Sequence, residues 1–108
     1  MKFEVYYVDA FTSQTFSGNP AAVIFSETDD ETLMQNIAAE NNLSETAFIN
    51  LTNNSIRWFS PTCEVNLCGH ATLASAFIYF NFLNNSESTI TLNSASGELK
   101  VNKHDEYL

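Results

Sequence analysis

The chain has 108 residues, which is the length of one compact domain. Leu, Ile, Val and Phe supply 29 of these residues, or about 27%, which exceeds the ~20% below which chains tend to be disordered. Its 13 Asp and Glu against 4 Lys and Arg give a net charge of −9, which disfavours binding to nucleic acid or to an anionic membrane surface, since both are negatively charged. Residues 71–83 are uncharged, but they are too few to cross a bilayer, which takes about 20 residues. Glu4 lies where a signal peptide would be apolar, so we expect a cytoplasmic protein.

The N-terminal residues predict two strands joined by a polar loop. Residues 2–9 alternate in character with the period of two that is typical of a strand. Residues 12–20 are polar and contain Ser17-Gly18-Asn19-Pro20, a sequence typical of a turn. Residues 21–26 are short and apolar, and they predict the second strand.

A helix should follow these strands. Asp29 or Asp30 is suited to its N-cap, and Glu31 would lie in its first turn. Asn41-Asn42 would end the helix. The residues of its apolar face share a helical spacing, and they are Leu33, Met34, Ile37 and Ala38.

A hairpin is predicted next, with strands at residues 46–50 and 56–60 around a turn at residues 52–55. Pro61 would close this pair, because proline has no N–H to donate to a neighbouring strand. Residues 65–69 then lead into a second helix.

That second helix, at residues 70–83, is apolar on every face, and such a helix must be enclosed by other elements. Residues 88–93 and 98–103 then predict two strands around a turn at residues 94–97. Together the elements predict an α+β fold, in which a curved, mainly antiparallel sheet wraps around one long buried central helix.

Glu45 is the first candidate for chemistry. It lies where the first helix passes into a strand, among apolar neighbours such as Leu43 and Phe48. A poorly hydrated carboxylate in such a place can trade protons near neutral pH, which general acid–base catalysis requires. Taken alone, however, the local sequence favours a solvated acid beside a helix end.

Gly69 and His70 form the second candidate, at the start of the apolar helix. Glycine lets the backbone come close to a ligand, and the unpaired N–H groups of a first helical turn attract a carboxylate or a developing negative charge. His70 adds a donor whose charge can change near pH 7. A histidine that only caps the helix explains the same residues equally well. Gly18-Asn19 alone indicates no more than a turn.

A metal site is the competing interpretation of the cysteines. Cys63, Cys68 and His70 have the spacing C-x4-C-x-H, whereas structural zinc sites need four ligands and usually separate paired cysteines by two to four residues. Only the distant His104 could be a fourth ligand, so we expect no metal ion. Cys68 as a nucleophile is a further alternative, because a helix start favours the thiolate, but no base other than nearby His70 accompanies it.

Five segments of the chain, taken together, carry a family resemblance. They are residues 8–12 (Val-Asp-Ala-Phe-Thr), 16–23 (Phe-Ser-Gly-Asn-Pro-Ala-Ala-Val), 42–48 (Asn-Leu-Ser-Glu-Thr-Ala-Phe), 57–62 (Arg-Trp-Phe-Ser-Pro-Thr) and 67–76 (Leu-Cys-Gly-His-Ala-Thr-Leu-Ala-Ser-Ala). In these segments and in their order, the chain resembles the PhzF-like family, the phenazine-biosynthesis-type isomerases with the diaminopimelate epimerase fold.

The resemblance implies two similar domains, each a sheet wrapped around a central helix, with the active site in the cleft between them. It implies an isomerase that moves a proton within a small carboxylated metabolite, without metal, cofactor or pyridoxal. Glu45 matches the family's catalytic acid–base position, and Gly69-His70 matches the helix start that contacts the substrate. The residues expected to line the same cleft are Ser44, Asn19 and Gly18.

Length sets this chain apart from the family it resembles. Family chains run to roughly twice this size or more, so residues 1–108 match only the N-terminal domain. The C-terminal domain should carry a further acid and a glycine-rich helix start, and no such block follows His104. We expect the site to be completed by a second-half polypeptide or by a second copy in a homodimer. The alternative is a non-catalytic module for small-anion binding or oligomerisation.

Overall fold

A computed structural model describes residues 4–8, 21–43, 45–83, 86 and 88–102. In chain order these residues form β1 (Glu4–Val8), β2 (Ala21–Phe25), α1 (Glu31–Asn41), β3 (Glu45–Asn50), β4 (Ser55–Phe59), β5 (Glu64–Val65), α2 (Gly69–Ile78), β6 (Thr89–Ser94) and β7 (Gly97–Asn102). A π-helical turn, Tyr79–Leu83, continues α2. Every predicted helix and strand is present, the loop predicted at residues 12–20 lies outside the described residues, and the described residues add the two-residue strand β5, which was not predicted.

The seven strands form one mixed sheet in the order β1-β2-β3-β4-β6-β7, with β5 paired to β4 beside this path. Four of its strand pairs are antiparallel, as predicted, whereas β2 with β3 and β4 with β6 are parallel. A parallel pair needs a long crossover connection, which is usually helical. Here α1 lies in the crossover from β2 to β3, and α2 lies in the crossover from β4 to β6.

The two helices cover opposite faces of the sheet. Along a strand, successive side chains point to opposite faces. Val23 belongs to the hydrophobic cluster that contains Ala71 and Ala74 of α2. Its neighbour Ile24 belongs to the cluster that contains Met34 and Ala38 of α1. Phe48 and Ile49 divide in the same way. A sheet buried on both faces has no polar side, which explains why β2 is apolar throughout.

Local capping determines where α1 begins and ends. Of the two candidate acids, Asp30 is the N-cap, and its side chain accepts a hydrogen bond of 3.1 Å from the backbone N–H of Leu33. At the other end, Asn42 has a left-handed backbone with φ of 53°, and its N–H donates to the carbonyl of Ala38. Asparagine tolerates this conformation better than most residues, so the helix stops there.

Helix α2 crosses the sheet from β4 to β1. One row of residues faces it from adjacent strands in register, and the row consists of Tyr6, Val23, Ala47 and Trp58. Near the start of the helix, Thr72 is hydrogen-bonded to Trp58, and ten residues later the ring of Phe82 stacks on Tyr6. Four strands span about 14 Å and ten helical residues rise about 15 Å, so the helix length matches the width it crosses.

The helix is buried for most of its length, as expected, but not at its end. Ala71, Ala74 and Phe80 are buried, whereas Phe82 is 63% exposed. Phe82 lies over β1, where the path of paired strands ends, so less of the sheet remains to cover it. Among the residues that the structure describes, no helix has the length and apolar character needed to cross a membrane.

Candidate active site

Glu45 is the first residue of β3, and it is half-buried. Its strand neighbours alternate between faces: Ala47 and Ile49 belong to the cluster around α2, and Phe48 belongs to the cluster around α1. By this alternation the Glu45 side chain lies on the α2 face of the sheet. Glu45 is two residues from Ala47, which belongs to the row of strand residues that α2 crosses. It therefore lies about 7 Å to one side of that row.

The start of α2 presents backbone N–H groups that have no acceptor within the helix. Cys68 is the N-cap, it has an extended backbone, and its side chain makes no capping hydrogen bond. The first helical hydrogen bond runs from the N–H of Thr72 to the carbonyl of Cys68. The N–H groups before Thr72 therefore lie ahead of the helical ladder, where they carry the positive end of the helix dipole. A Cβ built on Gly69 would meet no atom of the described residues within 4 Å, so none of them fills the space on that side of the backbone.

One buried hydrogen bond places this helix start over the sheet face that carries Glu45. The indole N–H of Trp58 donates to the hydroxyl of Thr72 at 3.1 Å, in the first turn of α2. Trp58 is in register with Ala47, so Glu45 and Trp58 are diagonal neighbours on the same face of the sheet. Such neighbours are separated by about 7–8 Å. The carboxylate and the first turn of α2 therefore lie on the same face of the sheet.

The other predicted site residues are only partly described. Position 70 lies in the first turn of α2, but the side chain of His70 is outside the described residues. Gly18, Asn19 and Ser44 are also outside them. The structure therefore places Glu45 and the first turn of α2 on the same face of the sheet, and the roles predicted for all of these residues stay predictions.

Sequence reasoning did not single out Trp58 or Thr72, which connect the sheet to the helix start. The two residues are 14 positions apart, on a strand and a helix, so no local pattern indicates their contact. A weaker signal was present: Thr72 is four residues after Cys68, the spacing at which a threonine hydroxyl can bond to a helical carbonyl. That bond is formed, with a length of 2.8 Å.

A network of ion pairs lies on the opposite face. Arg57 contacts Glu64 at 2.7 Å and Glu31 at 3.0 Å, and so ties β4 to β5 and to the start of α1. The hydrogen bonds to the Glu64 carboxylate, supported by Glu31, raise the pKa of Arg57 further above its usual range, although partial burial opposes this. Because Arg57 alternates with Trp58 along β4, this network holds the α1 side of the sheet and not the candidate site.

The two cysteines and one cleft are further features of the described residues that bear on a site. Cys63 is exposed and Cys68 is half-buried, and neither forms a disulfide. Within the described side chains, which leave out that of His70, no three His, Cys, Asp or Glu are placed to hold a metal ion. A cleft of about 440 Å³ lies between β4, β5 and the β6–β7 turn, and it includes neither Glu45 nor Gly69. The residues that line it are Ser55, Ile56, Arg57, Glu64, Val65, Asn66, Asn93, Ser94 and Ala95.

Comparison with known proteins supplies a family. The PhzC-PhzF family model, described as phenazine biosynthesis-like protein, matches residues 8–107. The chain is 50% identical to the phenazine biosynthesis-like domain-containing protein of Bos taurus over 98% of its length, and 48% identical to a protein of Halalkalibacterium halodurans named uncharacterized isomerase over 100%. It is also similar to the crystal structure of a PhzF family protein from Enterococcus faecalis, with 52% identity over 95% of the chain and a TM-score of 0.85.

These similarities confirm the predicted α+β fold, and they also confirm the predicted resemblance. The chain spans 41% of the Bos taurus relative, 42% of the Halalkalibacterium relative and 41% of the Enterococcus faecalis chain. Since the family model covers nearly all of its residues, the chain belongs to the PhzC-PhzF family of phenazine biosynthesis-like proteins, which includes relatives named isomerases.

Proposed function

We propose that this chain is an isomerase-type domain that moves a proton within a small carboxylated metabolite, with Glu45 as the catalytic acid–base. One observation carries the proposal: the Glu45 carboxylate lies on the same face of the sheet as the first turn of α2, beside the residue that holds that turn. The names of the isomerase relatives support the reaction class.

The two parts of this site have complementary tasks. When a base takes a proton from a carbon next to a carbonyl, negative charge develops on the carbonyl oxygen. Glu45 removes the proton and returns it at a different position, while the N–H groups around Gly69-His70 hold the substrate carboxylate or the developing charge. The His70 side chain adds a donor, and Ser44, Asn19 and Gly18 line the cleft. A carboxylate and helix N–H groups are sufficient for this transfer, so the proposal uses no cofactor.

A second polypeptide region should complete the site. The chain spans only about 41% of its relatives, so we propose that residues 1–108 correspond to an N-terminal domain and that a C-terminal domain, or a second copy in a homodimer, closes the cleft. Leu67, 57% exposed and two residues before Gly69, supports this, because a partner over the helix start would bury it. The proposed setting is cytoplasmic small-molecule metabolism.

The helix start by itself also fits a second candidate function. Its N–H groups could bind a small anion, or this face could associate with a partner, without turnover, as a non-catalytic module. Both candidates use the helix start, but only the isomerase requires the Glu45 proton.

The test is solvent-deuterium incorporation into a panel of small carboxylic acids. The assay uses this chain joined to the residues of the Enterococcus faecalis relative that lie beyond the matched 41%. Glu45→Gln keeps size and removes the titrating proton, so incorporation should fall at least ~100-fold. Glu40→Gln, an exposed acid of α1, is the charge-matched control and should keep the activity. Incorporation that persists in Glu45→Gln would assign the proton transfer to another group, and binding without incorporation by the unsubstituted chimera would favour the non-catalytic module.

A further inference from the structure

We propose that Thr72 is a positioning residue, which orients the backbone at the start of α2 toward the anion that this start binds. The inference rests on the proposed function, because it concerns the same site. Its basis is a pair of hydrogen bonds made by one hydroxyl: the Thr72 hydroxyl accepts from the Trp58 indole at 3.1 Å and donates to the Cys68 carbonyl at 2.8 Å.

These bonds hold the helix in one place on the sheet. Trp58 is 1% exposed and Thr72 is 6% exposed, so water does not readily replace either partner. If α2 slid along its axis or rotated about it, the indole N–H would lose its acceptor within an apolar core. The single geometry that satisfies the indole therefore fixes the first turn of α2 over β4.

The second bond fixes the direction of an N–H group. The carbonyl of Cys68 and the N–H of Gly69 belong to the same planar trans peptide, in which they point in opposite directions. Two groups of Thr72 bind that carbonyl: the backbone N–H at 3.1 Å and the hydroxyl at 2.8 Å. The carbonyl is thereby held toward the helix, and the Gly69 N–H is held pointing the opposite way, ahead of the first turn.

No side-chain cap shares this task, because the side chain of Cys68 makes no capping hydrogen bond. Through Trp58 the same arrangement is tied to β4, and through the register of Trp58 with Ala47 it is tied to the strand that carries Glu45. Thr72 thus sets the position of the anion-binding backbone relative to the acid–base, although its buried side chain is not placed to touch a ligand.

Three variants of the 108-residue chain test this role. Thr72→Val keeps the shape of the side chain and removes the hydroxyl, while Thr72→Ser restores it. Ser75→Ala is the matched control, since the Ser75 hydroxyl makes an equivalent buried bond to the Ala71 carbonyl at 2.6 Å, one turn further along the same helix. The probe is malonate, titrated while the NMR shift of the Gly69 amide is followed. Trp58 is the one tryptophan in the sequence, so its indole proton gives a single resonance that reports the first bond.

We expect Thr72→Val to weaken malonate binding about tenfold and to speed solvent exchange of the indole proton about tenfold, with Thr72→Ser and Ser75→Ala both within about twofold of the unsubstituted chain. If Thr72→Val binds malonate as tightly as Ser75→Ala does, the positioning role is refuted and the hydroxyl serves stability alone. If the unsubstituted chain shows no malonate shift at Gly69, the anion site of the proposed function is itself refuted, which is a different result.

Discussion

Substituting Trp58 and Thr72 singly and together should reveal a strong energetic coupling between the sheet and the start of α2. Thr72→Val leaves the buried indole N–H without an acceptor, which costs about 1–3 kcal/mol of unfolding free energy. Trp58→Phe removes three ring atoms, one of which is the donor nitrogen, from a fully packed position. At ~0.8 kcal/mol for each carbon-sized group that is buried, this change costs about 2 kcal/mol.

The double variant separates the bond from the packing. In the Trp58→Phe background no indole remains to be orphaned, and the Cys68 carbonyl still accepts from the backbone N–H at position 72. Thr72→Val should then cost only about 0.5 kcal/mol, so the coupling energy should be about 1–2 kcal/mol. Urea unfolding followed by far-UV circular dichroism measures all four chains, because tryptophan fluorescence is lost in two of them. Costs that add to within about 0.5 kcal/mol would refute the account of this hydrogen bond.

Three further predictions concern a cap and two glycines. Asp30→Ala should lower the unfolding free energy by about 1 kcal/mol, because the Leu33 N–H loses its acceptor. Asp29→Ala removes the same charge without the cap, so it should change the unfolding free energy little. Equal effects of the two substitutions would contradict the assignment of the cap. Gly97 has a φ of 115°, so Gly97→Ala should destabilise the chain by about 1 kcal/mol or more in the same urea assay. Gly69→Ala meets no atom and should keep stability while weakening malonate binding; a loss of stability instead would show that Gly69 serves the fold.

The elements were predictable because their signals are local. The strands of the β3–β4 hairpin and a helix cap at Asp29 or Asp30 each depend on a few adjacent residues; the hairpin is confirmed, and the cap is Asp30. The parallel pairings were not predicted, because they depend on which strands a crossover brings together and not on any short pattern.

The candidate site also has a part that the sequence predicts and a part that depends on the folded chain. The local sequence around Glu45 favoured a surface acid, and the family resemblance, not the environment of the residue, selected it. Its position beside α2 depends on the contact between Trp58 and Thr72, which only the folded chain creates. The strand β5 was missed for a similar reason, since two residues, Glu64 and Val65, are too few to show a period.

The four-residue turn between β3 and β4 has a consequence for which face of the sheet can react. It reverses the chain, so β2 and β4 run in opposite directions, although both crossovers step the same way across the sheet. Crossovers between parallel strands share one hand in nearly all proteins. Both crossovers keep the same handedness and move in the same direction across the sheet, but their strands run in opposite directions. Reversing the strands in this way moves the connecting helix to the other face, so α1 and α2 lie on opposite sides of the sheet. The turn at residues 51–54 thus keeps α1 away from Glu45, and that face is left to one helix among the described residues.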